Sequence, residues 1–247
     1  MNDYSVSVCT FAVNEVVSLR ICVETILNTC NKTDLQEIII CTCKKTTAES
    51  RNMIATLQTE HPDVPIIEIE QPPESDFWGE ACRVMYTAAT GTHILSMTSD
   101  LECNPDYVQP LIEHSKKAPE MLIKCSRWKK GSEFKGYGRL RKLGNRVFQG
   151  YMQLLFGRDV TDYTYPFQIA PSKVFKTAVF HKNGRTVAIE LIAGPKRRGT
   201  EIREIPMVWK KREEFETGKR FFKDFDRVFW YFFTALDIRF RRRKKEV

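Results

Sequence analysis

Several things this chain lacks narrow what it can be. Its eight cysteines contain no CxxC pair; the only close couple is Cys41-Thr-Cys43, and no matching Cys/His pair follows it. The spacing that a zinc site requires is therefore missing. The opening MNDYSVSV has neither a basic region nor a long apolar core, so it does not read as a secretory leader. The expectation is a cytoplasmic protein with reduced thiols, several of them buried as small hydrophobes. No internal repeat and no low-complexity linker breaks the chain. Basic charge is not spread over it either: of the net +8, residues 210–247 carry +6 and residues 1–209 only +2. That distribution argues against a nucleic-acid surface covering the fold, and no nucleic-acid partner is expected.

What is present is an alternation. A hydrophobic content of 42% in 247 residues allows a sizeable core. Short apolar runs at 6–9, 38–41, 66–69 and 93–97 read as strands, and 16–27, 48–60 and 80–89 between them as helices. This βαβαβαβ order implies an α/β fold with a mostly parallel sheet, helices on both faces and right-handed crossovers. A further helix is expected at 105–117 and a strand at 121–125. Residues 128–141, rich in Gly, Lys and Arg with little periodicity, read as a mobile loop. Helices at 144–155, from Ser172 and at 187–193 follow, then a strand at 201–208.

The most informative stretch is THILSMTSDLECNPD, residues 92–106. An apolar strand runs directly into Asp100 and Glu102, then Pro105. Two carboxylates at i and i+2 past the end of such a strand can converge on a hard divalent cation, Mg²⁺ or Mn²⁺, which is commonly completed by substrate phosphates. The same acids can instead cap the next helix. Carboxyl ends of strands are where open α/β sheets bind ligands.

Five motifs in order then resemble the family-2 glycosyltransferases, whose fold is the Rossmann-like GT-A. Within them the chain is most similar to the dolichyl- or polyprenyl-phosphate sugar synthases. The motifs are the first strand with Thr10-Phe-Ala-Val-Asn14-Glu15; Gly79 through Gly91; Thr98-Ser-Asp100-Leu-Glu102; Asp162-Tyr-Thr164-Tyr-Pro-Phe167-Gln168; and Glu190-Leu191 with Glu204-Ile205-Pro206. The resemblance covers about residues 4–220. It implies a metal-dependent inverting transfer of a hexosyl group from a nucleotide sugar, with Asp100 and Glu102 on the metal and Thr10, Asn14, Glu15, Gly79 and Asp100 at the donor. Asn14 and Glu15 can alternatively cap the helix at Val16. Arg127, Arg139, Arg141, Gln168 and Glu190 would meet the acceptor.

A polyprenyl phosphate is already anionic and needs positioning by cations such as Arg127, Arg139 and Arg141; these can also be a solvated basic loop. A saccharide hydroxyl would need a carboxylate base. Asp162 is a catalytic base, a loop-orienting acid or a turn residue. Glu190 either lines the acceptor pocket or pairs with Lys196 or Arg197. Two departures stand out: Cys41-Thr42-Cys43-Lys44 replaces the family's paired acids after the second strand, and Thr98 replaces the first acid of the metal motif. They leave room for a non-catalytic nucleotide-sugar-binding relative.

The tail is the second informative region. Phe222, Phe225, Phe229, Phe232, Phe233 and Leu236 share one helical face, and RFRRRKK closes the run at 239–245. The apolar stretch 228–235 is too short to span a bilayer. An amphipathic helix in the membrane interface through 221–245 is expected, peripheral on the inner face, with a docked C-terminal helix or a membrane-protein partner as alternatives. The expected division is a glycosyltransferase domain over 1–210 and a basic, aromatic-rich extension over 211–247.

Overall fold

The computed structural model describes residues 4–74, 77–180, 186–211 and 223–241, side chains of 223–229 excepted. Strands and helices alternate through the first half as β1 (Val6–Phe11), α1 (Val17–Thr29), β2 (Leu35–Thr42), α2 (Ala48–Glu60), β3 (Ile66–Glu70), α3 (Trp78–Ala88) and β4 (His93–Ser96). A 3-10 turn at Pro105–Tyr107 leads into α4 (Val108–Lys116), then β5 (Leu122–Ser126), β6 (Glu133–Lys135) and α5 (Arg139–Phe156). The chain continues through β7 (Gln168–Pro171), α6 (Ser172–Lys176), α7 (Val187–Arg197), β8 (Ile202–Pro206), β9 (Val208–Lys210) and α8 (Lys223–Phe240).

The main sheet has the order β3-β2-β1-β4-β7-β5-β8. All neighbours are parallel except β7, which runs antiparallel to both β4 and β5. Strand alternation builds the two faces. Val6, Val8, Ile38 and Ile40 point into one core with Leu19, Val23 and Ile26 of α1 and Leu111 and Ile112 of α4. Cys9, Ile39 and Cys41 point into the other, with Met85 and Tyr86 of α3 and Leu191 of α7. Near-continuous apolar strands are what a parallel sheet covered on both faces demands. The expected α/β class, with a mostly parallel sheet and helices, therefore holds.

One glycine is required by close approach. A Cβ on Gly91 would lie 2.7 Å from the Ser7 backbone nitrogen. Gly91 donates to Ser7 Oγ, whose hydroxyl donates in turn to the buried Glu37 carboxylate at 2.6 Å. This knot joins β1, β2 and the entry to β4 at the end of the sheet opposite the carboxyl ends of the parallel strands.

Three regions differ from the sequence reading. β7 was not anticipated: four residues ending in Pro171 give too short a pattern, and the strand exists because β4 and β5 sandwich it. The expected loop at 128–141 contains β6, paired to β9, and the first turn of α5, which begins at Arg139 rather than 144. An aromatic wall orders it, with Phe134 4.9 Å from both Trp128 and Tyr137, and Tyr137 4.9 Å from Trp209.

The third concerns α8. It packs on α5 and α7 through Tyr231, Phe232, Ala235 and Ile238, in one cluster with Phe148, Met152, Ile189 and Ile192. That docked face lies mostly beside the aromatic face expected from the sequence. Of the expected face, Phe233 and Leu236 stay exposed, together with Trp230 and Phe240. Phe222 and the basic run 242–245 lie outside the described residues, as do the side chains of Phe225 and Phe229. Among the described residues, no helix is long and apolar enough to cross a membrane.

Candidate functional site

The carboxyl ends of β1, β4 and β5 bring the chemistry together. At the end of β1, Thr10 is buried and its hydroxyl has no partner among the described residues. Glu15 is buried too, and its carboxylate accepts from the backbone nitrogens of Val13 at 2.7 Å and Asn14 at 3.1 Å. Those bonds hold the turn between β1 and α1. Gly79 is buried in the first turn of α3. At the end of β2, where the family's acids are missing, β3 supplies carboxylates from the side. Glu68 accepts from Thr42 Oγ1 at 2.9 Å and from Arg51 at 2.6 Å, and Glu70 accepts from Arg51 at 2.7 Å.

Past β4, Asp100 and Glu102 are half-buried, with Leu101 between them in the left-handed region at φ 62°. Asp100 Oδ1 accepts from Thr98 Oγ1 at 2.7 Å and from the Glu102 nitrogen at 3.2 Å. Thr98 thus orients the carboxylate of Asp100. The cap of the following 3-10 turn is Asn104, whose side chain accepts from the Asp106 nitrogen. Two half-exposed carboxylates are the hard oxygen donors that Mg²⁺ or Mn²⁺ takes, with positions left for water and substrate oxygens. The donor set fits such an ion.

Past β5 stands a buried ionic lattice. Arg127 Nε and Nη2 donate to the two oxygens of Asp162 at 2.7 and 2.9 Å, a bidentate fork. The same carboxylate accepts from the Arg127 nitrogen, Thr164 N and Oγ1, and Gln149 Nε2. Burial alone would push Asp162 up. The charge and hydrogen bonds of Arg127, with Lys124 behind it, hold its pKa instead at about 2. A second buried pair backs the first: Lys124 lies 3.6 Å from Glu204, which accepts from the backbone nitrogens of Thr161 and Asp162. Asp162 is therefore an acid with its oxygens occupied, arranged to orient Arg127 and its own loop. It is not a free base.

The other expected acceptor residues divide. Arg139 and Arg141 are exposed on the first turn of α5, and the guanidinium of Arg141 lies 5.0 Å from the Tyr137 ring centroid. Gln168 is corrected: it is wholly buried in β7 and donates to the Leu191 carbonyl at 3.0 Å, pinning α7 to the sheet. Its side-chain oxygen is buried with no partner among the described residues. For Glu190 the alternative partners differ from those expected: Arg241, just past the end of α8, lies 3.5 Å from its carboxylate, while Lys196 pairs with Asp159 and Arg197 donates to the carbonyls of Ile238 and Arg241.

Sequence reasoning missed the groups that support the site. Gln149 on α5 donates to Thr164 Oγ1 at 2.8 Å and accepts from the Tyr163 nitrogen at 2.7 Å. Tyr165 donates to the Glu102 carbonyl at 2.6 Å. Their only signal was amphipathic or motif position; the partners are distant in sequence.

The sequence matches the family described as Glycosyl transferase family 2 over residues 7–184. Among solved structures, glucosyl-3-phosphoglycerate synthase from Mycobacterium tuberculosis with Mn²⁺, uridine diphosphate and phosphoglyceric acid is similar at TM-score 0.66 and 16% identity. That match covers 99% of this chain and 81% of that one. The same synthase with Mn²⁺, uridine-diphosphate-glucose and glycerol 3-phosphate gives TM-score 0.62 at 16% identity, covering 96% and 80%. A structure described as a mycobacterial protein gives TM-score 0.70 at 17% identity, covering 96% and 75%. At such identities the likeness is one of fold.

Proposed function

The chain belongs to glycosyl transferase family 2, and from that premise we propose that it moves a hexosyl group from a nucleoside diphosphate sugar to a phosphate-bearing acceptor, a polyprenyl phosphate. Residues 1–210 would act as the transferase domain and 211–247 as its extension. The observation that carries the acceptor reading is the occupancy of the acids. A sugar hydroxyl needs a carboxylate within reach to take its proton. Asp162 is held by Arg127 and Glu190 is paired with Arg241. A phosphate oxygen needs no such base, being anionic near neutral pH.

In this reading Asp100 and Glu102 would hold a Mg²⁺ or Mn²⁺ ion, and such an ion would supply neutralisation of charge on the leaving diphosphate. The donor lies along the carboxyl ends of β1 and β4, near Thr10, Asn14, Glu15 and Gly79. A phosphate oxygen of the acceptor forms a bond to the anomeric carbon as the bond to the diphosphate breaks, with inversion. Arg127 orients the acceptor phosphate, and Arg139 and Arg141 raise the local positive potential at the start of α5.

Exposed apolar stripes support a lipid-borne acceptor. Leu140, Leu143, Val147 and Leu154 recur on one side of α5, and Trp230, Phe233, Leu236 and Phe240 on one side of α8. Such surfaces, flanked by Arg139, Lys142 and Arg239, suit the interface of an anionic membrane. A second reading is a small soluble acceptor. The synthase of similar fold was solved with phosphoglyceric acid and glycerol 3-phosphate, which favours it.

The test is transfer of label from a panel of radiolabelled nucleotide sugars, offered polyprenyl phosphate and 3-phosphoglycerate side by side, with Mn²⁺ or chelator. Metal-dependent label in the organic phase is expected, and Asp100→Asn should abolish it without lowering the melting temperature. Label confined to the aqueous product would transfer the assignment to the soluble acceptor.

A further inference from the structure

The donor-side and acceptor-side loops meet at one side chain, Tyr165. Its hydroxyl donates to the Glu102 carbonyl oxygen at 2.6 Å, and the guanidinium of Arg127 lies 4.8 Å from its ring centroid. The ring is buried, and Phe167 meets it edge-on at 6.4 Å. From the donor side, Ser99 Oγ donates to the Phe11 carbonyl of β1, and within the segment Thr98 donates to Asp100. Tyr165 ties them from the opposite side.

We propose that Tyr165 is a positioning residue that sets the metal-binding carboxylates and Arg127 at a fixed spacing. Its hydroxyl holds the Glu102 backbone, beside Leu101 in its left-handed conformation, and its ring supports the cation that Asp162 aims. The two roles use different parts of one side chain, so they separate by substitution. Phenylalanine keeps the ring under Arg127 and removes the bond to Glu102. Leucine removes both. A shorter hydroxyl side chain at this position would not span to Glu102 while also presenting a ring face.

The inference rests on the reading that Asp100 and Glu102 hold a divalent ion with the nucleotide, and the experiment keeps the two apart. Mn²⁺ binding is followed by electron paramagnetic resonance, alone and with uridine or guanosine diphosphate, and nucleotide binding by calorimetry in chelator. Tyr165→Phe should weaken Mn²⁺-dependent binding about 3- to 10-fold, the range of one lost hydrogen bond, and leave binding in chelator unchanged. Tyr165→Leu should in addition raise KM for the acceptor, while Tyr165→Phe leaves it alone. A purely structural role would shift melting temperature and all binding together.

Wild-type Mn²⁺ affinity in Tyr165→Phe overturns the inference and spares the metal reading. A wild-type protein that fails to bind Mn²⁺ under any of these conditions removes both. Should Tyr165→Phe not fold, hydrogen exchange on the wild type decides. Adding Mn²⁺ and nucleotide should protect 98–104 and 161–167 together, and protection confined to 98–104 overturns the coupling.

Discussion

At the scale of single residues, the site is governed by how its charges are paired. Asp162 has its pKa lowered to about 2 from an ordinary 3.8, because Arg127 and Lys124 outweigh the penalty of its burial. A depressed carboxylate contributes stability above its unfolded pKa and loses it as the pH falls through the folded one. The protein should therefore lose on the order of 2 kcal/mol of unfolding free energy between about pH 4 and pH 2 through this group. Urea titrations across that range measure it. Asp162→Asn should remove this acid-dependent share, and at neutral pH it should cost about 3–5 kcal/mol by leaving the Arg127 charge buried and unpaired. A variant with the wild-type acid limb and little loss at pH 7 would contradict the pairing. Asp162 was visible in the sequence as a motif residue. Its role as a holder was not, because Arg127 lies 35 positions away.

At the scale of elements, α8 has two faces with different work. Ala235 and Ile238 are buried against α5 and α7, whereas Trp230, Phe233 and Phe240 are exposed. Removing packed methyl groups leaves a cavity, so Ile238→Ala should cost about 2–4 kcal/mol in chemical denaturation. Trp230→Ser with Phe233→Ser should change stability by no more than about 0.5 kcal/mol each, as exposed sites do. On the membrane reading, that same pair should reduce sedimentation with vesicles containing anionic lipid several-fold. Unchanged vesicle binding in the double variant would count against interfacial contact through α8. An amphipathic helix was expected from spacing, and the described side chains of α8 do divide into a docked and an exposed side. Which side docks was not readable, since it depends on the grooves that α5 and α7 present.

At the scale of the whole molecule, the fold uses its cysteines as filling. All eight are free and buried, Cys9, Cys22, Cys41, Cys82 and Cys125 in strands and helices and Cys30, Cys43 and Cys103 in the segments that leave them. Burial pushes the thiols of Cys30 up to about 11 and of Cys41, Cys82 and Cys103 up to about 12. For these four the thiolate is disfavoured in the folded state, and burial limits access to all eight. A chromogenic disulfide reagent at pH 8 should label less than about one thiol per native chain in minutes, and all eight after unfolding in guanidinium. Fast labelling of several native thiols would mean a looser core than this sheet allows.

Local pattern and chain order were enough for much of this protein. The alternation of apolar strands with helical spacing determined an α/β sheet, mostly parallel, because period and burial are properties of neighbouring residues. The step from an apolar strand to Asp100 and Glu102 marked a candidate metal site for the same reason. Tertiary structure decided what depends on partners far along the chain. The antiparallel β7 exists only between β4 and β5. Gln168 became a sheet residue and Glu190 a partner of Arg241. Glu68 and Glu70 came to stand beside Thr42 at the end of β2. The carboxylate of Asp162 was claimed by Arg127, and Tyr165 was set between two loops. A hydrogen bond or ion pair is made by atoms in space, and a single sequence records only the residues that can make one.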